Sequence, residues 1–98
     1  MEKIEQILEN RFHEGDIVRH FKWNYQTLSD AANLPNNYHY RIVGFGKDAN
    51  NGELQVVYQA LYNGKTLWVR SAEEFCSEVD RTKYPDCPQH YRFKVAMR

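Results

Sequence analysis

The sequence predicts an α+β fold, a small antiparallel, SH3-like, partly open β-barrel of about five strands with a capped α-helix and an extra N-terminal helix. Three observations carry that expectation. Alternating, strand-like segments follow one another closely, without the crossover of a dozen or more residues that parallel strands require. Asn63-Gly64 stands between two alternating runs, the pattern of a tight hairpin. Gly44 and Gly46 fall near the end of another run, where they favour a bulge or sharp bend. A short sheet that bends in this way can curl and lose most of its exposed edge.

Residues 2–12 have helical spacing. Ile4, Ile7, Leu8 and Arg11 share one stripe, and Glu2, Glu5 and Glu9 point outward near the end where the helix dipole favours acid. His13-Glu14-Gly15-Asp16 stops the helix. Residues 17–22 alternate Ile17, Arg19, Phe21 against Val18, His20, Lys22 and form a first strand. Residues 23–37 lack a period and contain Leu34-Pro35 and Asn36-Asn37, so they read as a long inserted loop with a short turn capped by Ser29 or Asp30. Residues 38–45 make a second strand.

In the hairpin, Leu54, Val56, Tyr58, Ala60 and Tyr62 share one face, and Gln55, Val57, Gln59 and Leu61 share the other. A two-residue turn at Asn63-Gly64 pairs Tyr62 with Lys65, Ala60 with Leu67, Gln59 with Trp68, Tyr58 with Val69 and Val57 with Arg70. That register places Leu67 and Val69 on the apolar face and Thr66, Trp68 and Arg70 on the polar one. Ser71-x-x-Glu74 is a capping box, followed by a stripe of Ala72, Phe75, Cys76 and Val79. Residues 81–89, with Pro85 and Pro88, form an extended linker. The last strand is expected at 91–95, with Tyr91, Phe93 and Val95 inward.

A chain of 98 residues suits a single domain over 1–98: an N-terminal helical extension at 1–13, a β-barrel-like core at 15–95 and an inserted loop at 23–37. Thirteen basic residues balance thirteen acidic ones, so no bulk field drives the chain toward nucleic acid or anionic lipid. Local patches remain open. The charged start carries no signal or transit pattern, which gives a cytoplasmic expectation with Cys76 and Cys87 reduced. No apolar run reaches the roughly 20 residues of a membrane span.

Three blocks carry a resemblance. They are Val18-Arg19-His20-Phe21-Lys22, then Val56-Val57-Tyr58-Gln59-Ala60-Leu61-Tyr62, then Leu67-Trp68-Val69-Arg70 followed by Glu74-Phe75. In this order they resemble the small bacterial family known as domain of unknown function 1653. The likeness covers Gly15 to Val79 and, more weakly, Arg92-Phe93, and it implies no activity. Several features depart from the family pattern. Trp23 replaces a Gly, and roughly 14 residues after it look inserted, a loop length usually tied to function. Lys47-Asp48-Ala49-Asn50-Asn51 replaces a basic-His-acidic turn, Ser71 stands where Pro is common, and the N-terminal helix is additional.

The candidate sites each have a plainer reading. Gln59, Trp68 and Arg70 project together from the expected polar face, and a flat aromatic beside a guanidinium suits stacking a base or gripping a phosphate. The plainer reading packs Trp68 under the N-terminal helix or the 23–37 loop and pairs Arg70 with Glu73 or Glu74. Arg19 and His20, with Lys22, could bind an anion, and His20 could serve as acid or base near neutral pH. The plainer reading, which the pattern favours, is charge protection of an exposed strand edge.

Cys87-x-x-His90, with Cys76 and His39 or His20, supplies one close ligand pair where structural zinc sites present two, so no metal is expected. Neither Cys76 nor Cys87 has the setting that makes a thiolate nucleophile. Tyr38, Tyr40, Tyr58 and Tyr62 either line a groove or fill a sheet face. With no phosphate-cradling glycine loop and no hydrolase or metalloprotease motif, no catalytic residues and no cofactor are assigned.

The leading expectation is therefore a small cytoplasmic, non-catalytic binding module. It would recognise a nucleotide-like ligand, RNA or a peptide through Trp68, Arg70, Gln59, Arg19 and His20. One alternative is a small enzyme acting on a nucleotide-like substrate with His20 as acid or base. The other is a structural homo-oligomer assembled through the sheet edge or the N-terminal helix stripe.

Overall fold

A computed structural model describes residues 3–34, 36–62 and 64–98. The elements run α1 (Ile4–Arg11), β1 (Ile17–His20), a 3-10 turn (Phe21–Tyr25), α2 (Leu28–Asn33), β2 (His39–Lys47), β3 (Leu54–Ala60), β4 (Leu67–Ser71), α3 (Ala72–Phe75) and β5 (Phe93–Met97). The five strands form one sheet in the order β4-β3-β2-β1-β5, antiparallel at every step. This is an α+β architecture with an open, curled sheet, consistent with a small partly open barrel.

The bend near the glycines is real and has a specific form. Ile42 pairs with Tyr58 and Gly44 with Val57, which leaves Val43 as the extra residue of a β-bulge. A bulge bends its strand and increases the local twist. Beyond it Phe45 lies opposite Val56, on the side that faces α1.

One face of the sheet is the core side. Val18, Tyr40, Ile42, Val56, Tyr58, Ala60 and Phe93 are buried there, and Leu8, Phe12, Ala72, Phe75 and Cys76 close over them. Phe75 and Phe93 stack at 4.2 Å between centroids and 9° between planes, and Phe12 meets Phe75 edge-on at 5.1 Å. The stripe expected on α1 is thus turned inward, with Leu8 buried and Ile4 and Ile7 packed against the same core. Arg11 anchors the helix by donating to the Cys76 carbonyl at 2.8 Å while its guanidinium lies 3.9 Å over the Tyr91 ring.

Several elements differ from the sequence expectation. Strand β1 ends at His20 because the His20 imidazole caps the following 3-10 turn, Nδ1 accepting from the Lys22 backbone N–H at 3.1 Å. The 23–37 segment is not one loop: it completes that turn and then forms α2, capped by Thr27 accepting from the Asp30 N–H at 3.0 Å, not by Ser29 or Asp30. Strand β5 starts two residues later than expected, and Tyr91 is exposed, bridging to Glu78 instead. Helix α3 is one turn long. Its Ser71 cap accepts from the Glu74 N–H at 3.2 Å, and the stripe Ala72, Phe75, Cys76, Val79 is buried throughout although Val79 lies beyond the helix.

The largest correction concerns the β3–β4 hairpin. Gln59 pairs with Leu67, Tyr58 with Trp68, Val57 with Val69 and Val56 with Arg70. This is one residue away from the expected register. Lys65 donates to the Tyr62 carbonyl at 3.2 Å and the Ala60 N–H donates to the Thr66 carbonyl at 2.9 Å, so five residues separate the closing pair instead of two. Gly64 and Lys65 both take positive φ, +86° and +56°. Asn63 of the expected turn lies outside the described residues. A shift of one residue exchanges the faces of the whole strand. Leu67 and Val69 are therefore exposed on the outer face, and Trp68 and Arg70 lie on the core side.

Candidate functional site

The inverted strand creates the site. On the core side, Trp68 sits opposite Tyr58 and Arg70 opposite Val56, at the open margin of the sheet. Arg70 can occupy that position because its head is hydrogen-bonded: Nε donates to the Tyr58 hydroxyl at 3.1 Å, and Nη1 lies 3.7 Å from a Glu74 carboxylate oxygen. The plainer reading of Arg70 is thus correct as far as Glu74 goes. The Glu74 side chain is 59% exposed, so the pair is screened and leaves much of the guanidinium charge available. Trp68 is neither under α1 nor fully buried. Half of its surface is open.

His20 reaches the same place from β1. Its ring lies 4.5 Å from Phe21, 5.0 Å from Phe93 edge-on and 6.2 Å from Tyr38. The bond from the Lys22 N–H occupies Nδ1, so the neutral tautomer carries its proton on Nε2. Burial first, then the charges of Arg70, Arg92 and Lys22, push the His20 pKa down to about 3. At neutral pH His20 is an uncharged hydrogen-bond donor, and its titration lies far from where acid–base catalysis would use it.

Two adjoining clefts meet at these residues. One, of about 190 Å³, is bounded by Tyr38, Tyr40, Tyr58, Trp68 and Phe93. The other, of about 250 Å³, is bounded by Phe21, Asp80, Lys83, Tyr84 and Arg92. His20, Lys22 and Arg70 line both and form the neck between them. The aromatic walls are tightly organised. Tyr40 meets Tyr58 and Phe93 edge-on at 5.2 and 5.9 Å, and its hydroxyl bonds that of Tyr62 at 2.6 Å. Burial and that bond raise the Tyr40 pKa, which keeps the phenol protonated.

The five residues expected at the site separate into two groups. Trp68, Arg70 and His20 converge on the clefts. Gln59 and Arg19 do not, because both belong to the opposite parity of their strands. Gln59 donates to the Lys65 carbonyl at 3.1 Å on the outer face. The Arg19 guanidinium packs 3.9 Å over the Trp23 ring, and its Nε is buried without a partner among the described residues. Desolvation lowers the Arg19 pKa.

Sequence reasoning missed Lys83 and Arg92 as site residues. Arg92 carried a faint signal as part of the last family block. Lys83 carried none, since only the path of residues 76–92 brings it across from β1. That path is held by Gln89, whose buried amide donates to the carbonyls of Arg19 at 3.1 Å and Tyr91 at 2.9 Å.

Three larger clefts lie elsewhere, of about 430, 390 and 280 Å³; the first two flank α1 and do not collect cations, and the third gathers Arg11, Lys94 and Arg98, of which Arg98 pairs with Asp16 at 3.5 Å. In the first, Arg11 is already committed to Cys76 and Tyr91. The second has an apolar floor of Leu8, Phe12, Phe45 and Leu54 with Glu5, Glu9 and Glu14 at its rim. Both cysteines are free and buried, and burial raises the Cys76 pKa. Among the described residues no three His, Cys, Asp or Glu side chains gather in a way that could hold a metal ion.

Residues 16–95 match the family model described as "Protein of unknown function (DUF1653)". The chain belongs to the DUF1653 family. The matched span takes in all five strands except the end of β5, together with the neck residues His20, Lys22 and Arg70, while α1 precedes it. No curated protein and no solved structure matches the chain significantly. Among the described residues no helix is long and apolar enough to cross a membrane.

Proposed function

We propose that this DUF1653 member is a non-catalytic binding module that captures an anionic ligand at the neck formed by His20, Lys22 and Arg70. The observation that carries this reading is a convergence of like charge. Lys22, Arg70 and Arg92 line one cleft with His20, and after burial their charges add to the lowering of its pKa, in a chain whose formal net charge is zero. Cations gathered around a concave, partly desolvated site are costly unless an anion completes them. A neutral His20 suits such a site as a donor through Nε2 and adds no further charge. The broader expectation of a nucleotide-like ligand, RNA or a peptide narrows here to ligands that bring negative charge, and cytoplasmic residence remains part of the proposal.

The test is a set of backbone and indole N–H spectra of labelled protein, recorded against a mixture of nucleotides, short RNA, acidic peptides and small anionic metabolites. Shifts centred on Trp68, Arg70 and residues 20–22, abolished by Arg70→Ala, are the expected result. If Arg70→Ala left the affinity of the best ligand unchanged, the assignment to this cleft would be abandoned.

A further inference from the structure

We propose that the ligand is a mononucleotide-type molecule, one terminal phosphate joined to one planar heterocycle, with the phosphate among Lys22, Lys83 and Arg92 and the ring against Trp68 and Tyr38. The proposal rests on the anion-binding reading above and assigns the ligand's second half.

Size argues that the ligand spans the neck. Clefts of about 190 and 250 Å³ are each smaller than the roughly 300 Å³ at which small-molecule sites usually begin. They are joined through three shared residues, so an ordinary ligand reaches both. The two halves differ in chemistry. The first offers ring surface: Trp68 is half open, Tyr38 lines the same cleft, and the Tyr58 hydroxyl, held by Arg70, and the His20 Nε2–H supply polar groups among the rings. A heterocycle with both a π face and hydrogen-bonding edges matches this combination.

The second half offers charge. Lys22, Lys83, Arg70 and Arg92 line this cleft with one carboxylate, Asp80, while Glu74 lies 3.7 Å from Arg70 outside its lining. Among the described residues none of Lys22, Lys83 and Arg92 has a carboxylate within ion-pair distance. Arg92 donates Nε to the Ser77 hydroxyl at 3.2 Å, which aims the guanidinium while its remaining N–H groups stay available. Guanidinium and ammonium groups gathered in this way are suited to a phosphate dianion. A terminal phosphate is favoured over an internal one. A polynucleotide needs a basic track extending over several phosphates, whereas here the cations converge on one small cleft.

The experiment is calorimetric titration of the whole protein with AMP, GMP, CMP and UMP, with the four nucleosides, with ribose phosphate and with a single-stranded RNA decamer. At least one mononucleotide is expected to bind about tenfold or more tightly than both its nucleoside and ribose phosphate, since each half adds on the order of 1.4 kcal/mol. Lys83 and Trp68 are surface-accessible enough for their alanine variants to fold, which the amide spectrum checks. Lys83→Ala should weaken the mononucleotide and ribose phosphate but not the nucleoside. Trp68→Ala should weaken the mononucleotide and the nucleoside but not ribose phosphate.

If ribose phosphate binds as tightly as every mononucleotide, the ring assignment is overturned while the anion site stands. If the decamer binds more than about tenfold tighter than any mononucleotide, the ligand is a polymer and the proposal fails. If no phosphate compound binds and the spectra show no response at residues 20–22 and 70, both readings fall together.

Discussion

Lowering the pH from 7 to 5 should destabilise this protein through one side chain. In the fold, His20 is almost entirely buried, its Nδ1 is occupied by the Lys22 N–H, and Arg70, Arg92 and Lys22 oppose a proton. Lys83 and Asp80 share the adjoining cleft. The folded pKa is about 3, against 6.5 for the unexposed-to-charge reference. Between those values the unfolded chain binds a proton that the native protein excludes, so stability is fully present above pH 6.5 and declines as the pH falls toward 3. Integrating the proton difference from pH 7 to pH 5 gives a loss of roughly 2 kcal/mol.

The assay is urea unfolding followed by tryptophan fluorescence at both pH values, for wild type and His20→Asn. The Asn oxygen can accept the Lys22 N–H much as Nδ1 does, so the cap is kept and the titration removed. Contributions from other groups cancel in the comparison. Wild type should lose about 2 kcal/mol more than the variant over this interval. Equal losses would show that His20 titrates normally and that neither its burial nor the three cations hold its pKa down, which would also undercut the anion site.

Other perturbations have definite signs. Phe75→Ala removes a fully buried ring stacked on Phe93 and should cost about 3–5 kcal/mol in the same unfolding assay; a loss under about 1 kcal/mol would contradict the packing. Ser71→Ala deletes the cap of α3 and should cost about 1 kcal/mol, with Ser71→Asp close to neutral. Lys65→Gly relieves a positive φ of +56° and should raise the melting temperature, the gain of up to about 1 kcal/mol being partly offset by unfolded-chain entropy. A lower melting temperature would place the turn in another conformation. Leu8→Ala should cost about 2–5 kcal/mol with no change of mass by light scattering, because α1 closes its own core; a change of mass at unchanged stability would restore the helix-mediated oligomer.

Much of the architecture is local in origin and therefore legible in the chain. The apolar alternation of Val56, Tyr58 and Ala60, the Ser71 cap with its buried stripe, the bend beside Gly44 and the helical stripe of Ile4, Ile7 and Leu8 depend on neighbours within a few residues. Their faces appear where the period places them. The 3-10 turn after His20 was harder to foresee, because its cap is an imidazole rather than one of the usual Ser, Thr, Asp or Asn side chains. The site was half legible: Trp68, Arg70 and His20 meet, though for a reason other than the one the sequence suggested.

By itself the amino-acid sequence determined which segments are strands, which faces of β1, β2 and β3 are apolar, and that aromatic and basic residues are concentrated in them. Only the tertiary structure decided the parity of β4, and with it which residues share a cleft. The Ala60 N–H donates to the Thr66 carbonyl at 2.9 Å, which closes the hairpin over five residues and puts Trp68 opposite Tyr58. The buried-charge penalty that argued against this register is offset by contacts remote in sequence, the Tyr58 hydroxyl and the Glu74 carboxylate, and by the open margin that lets Arg70 reach water. Local pattern measures the cost of placing an arginine on a core face. It cannot see the partners that make the placement stable.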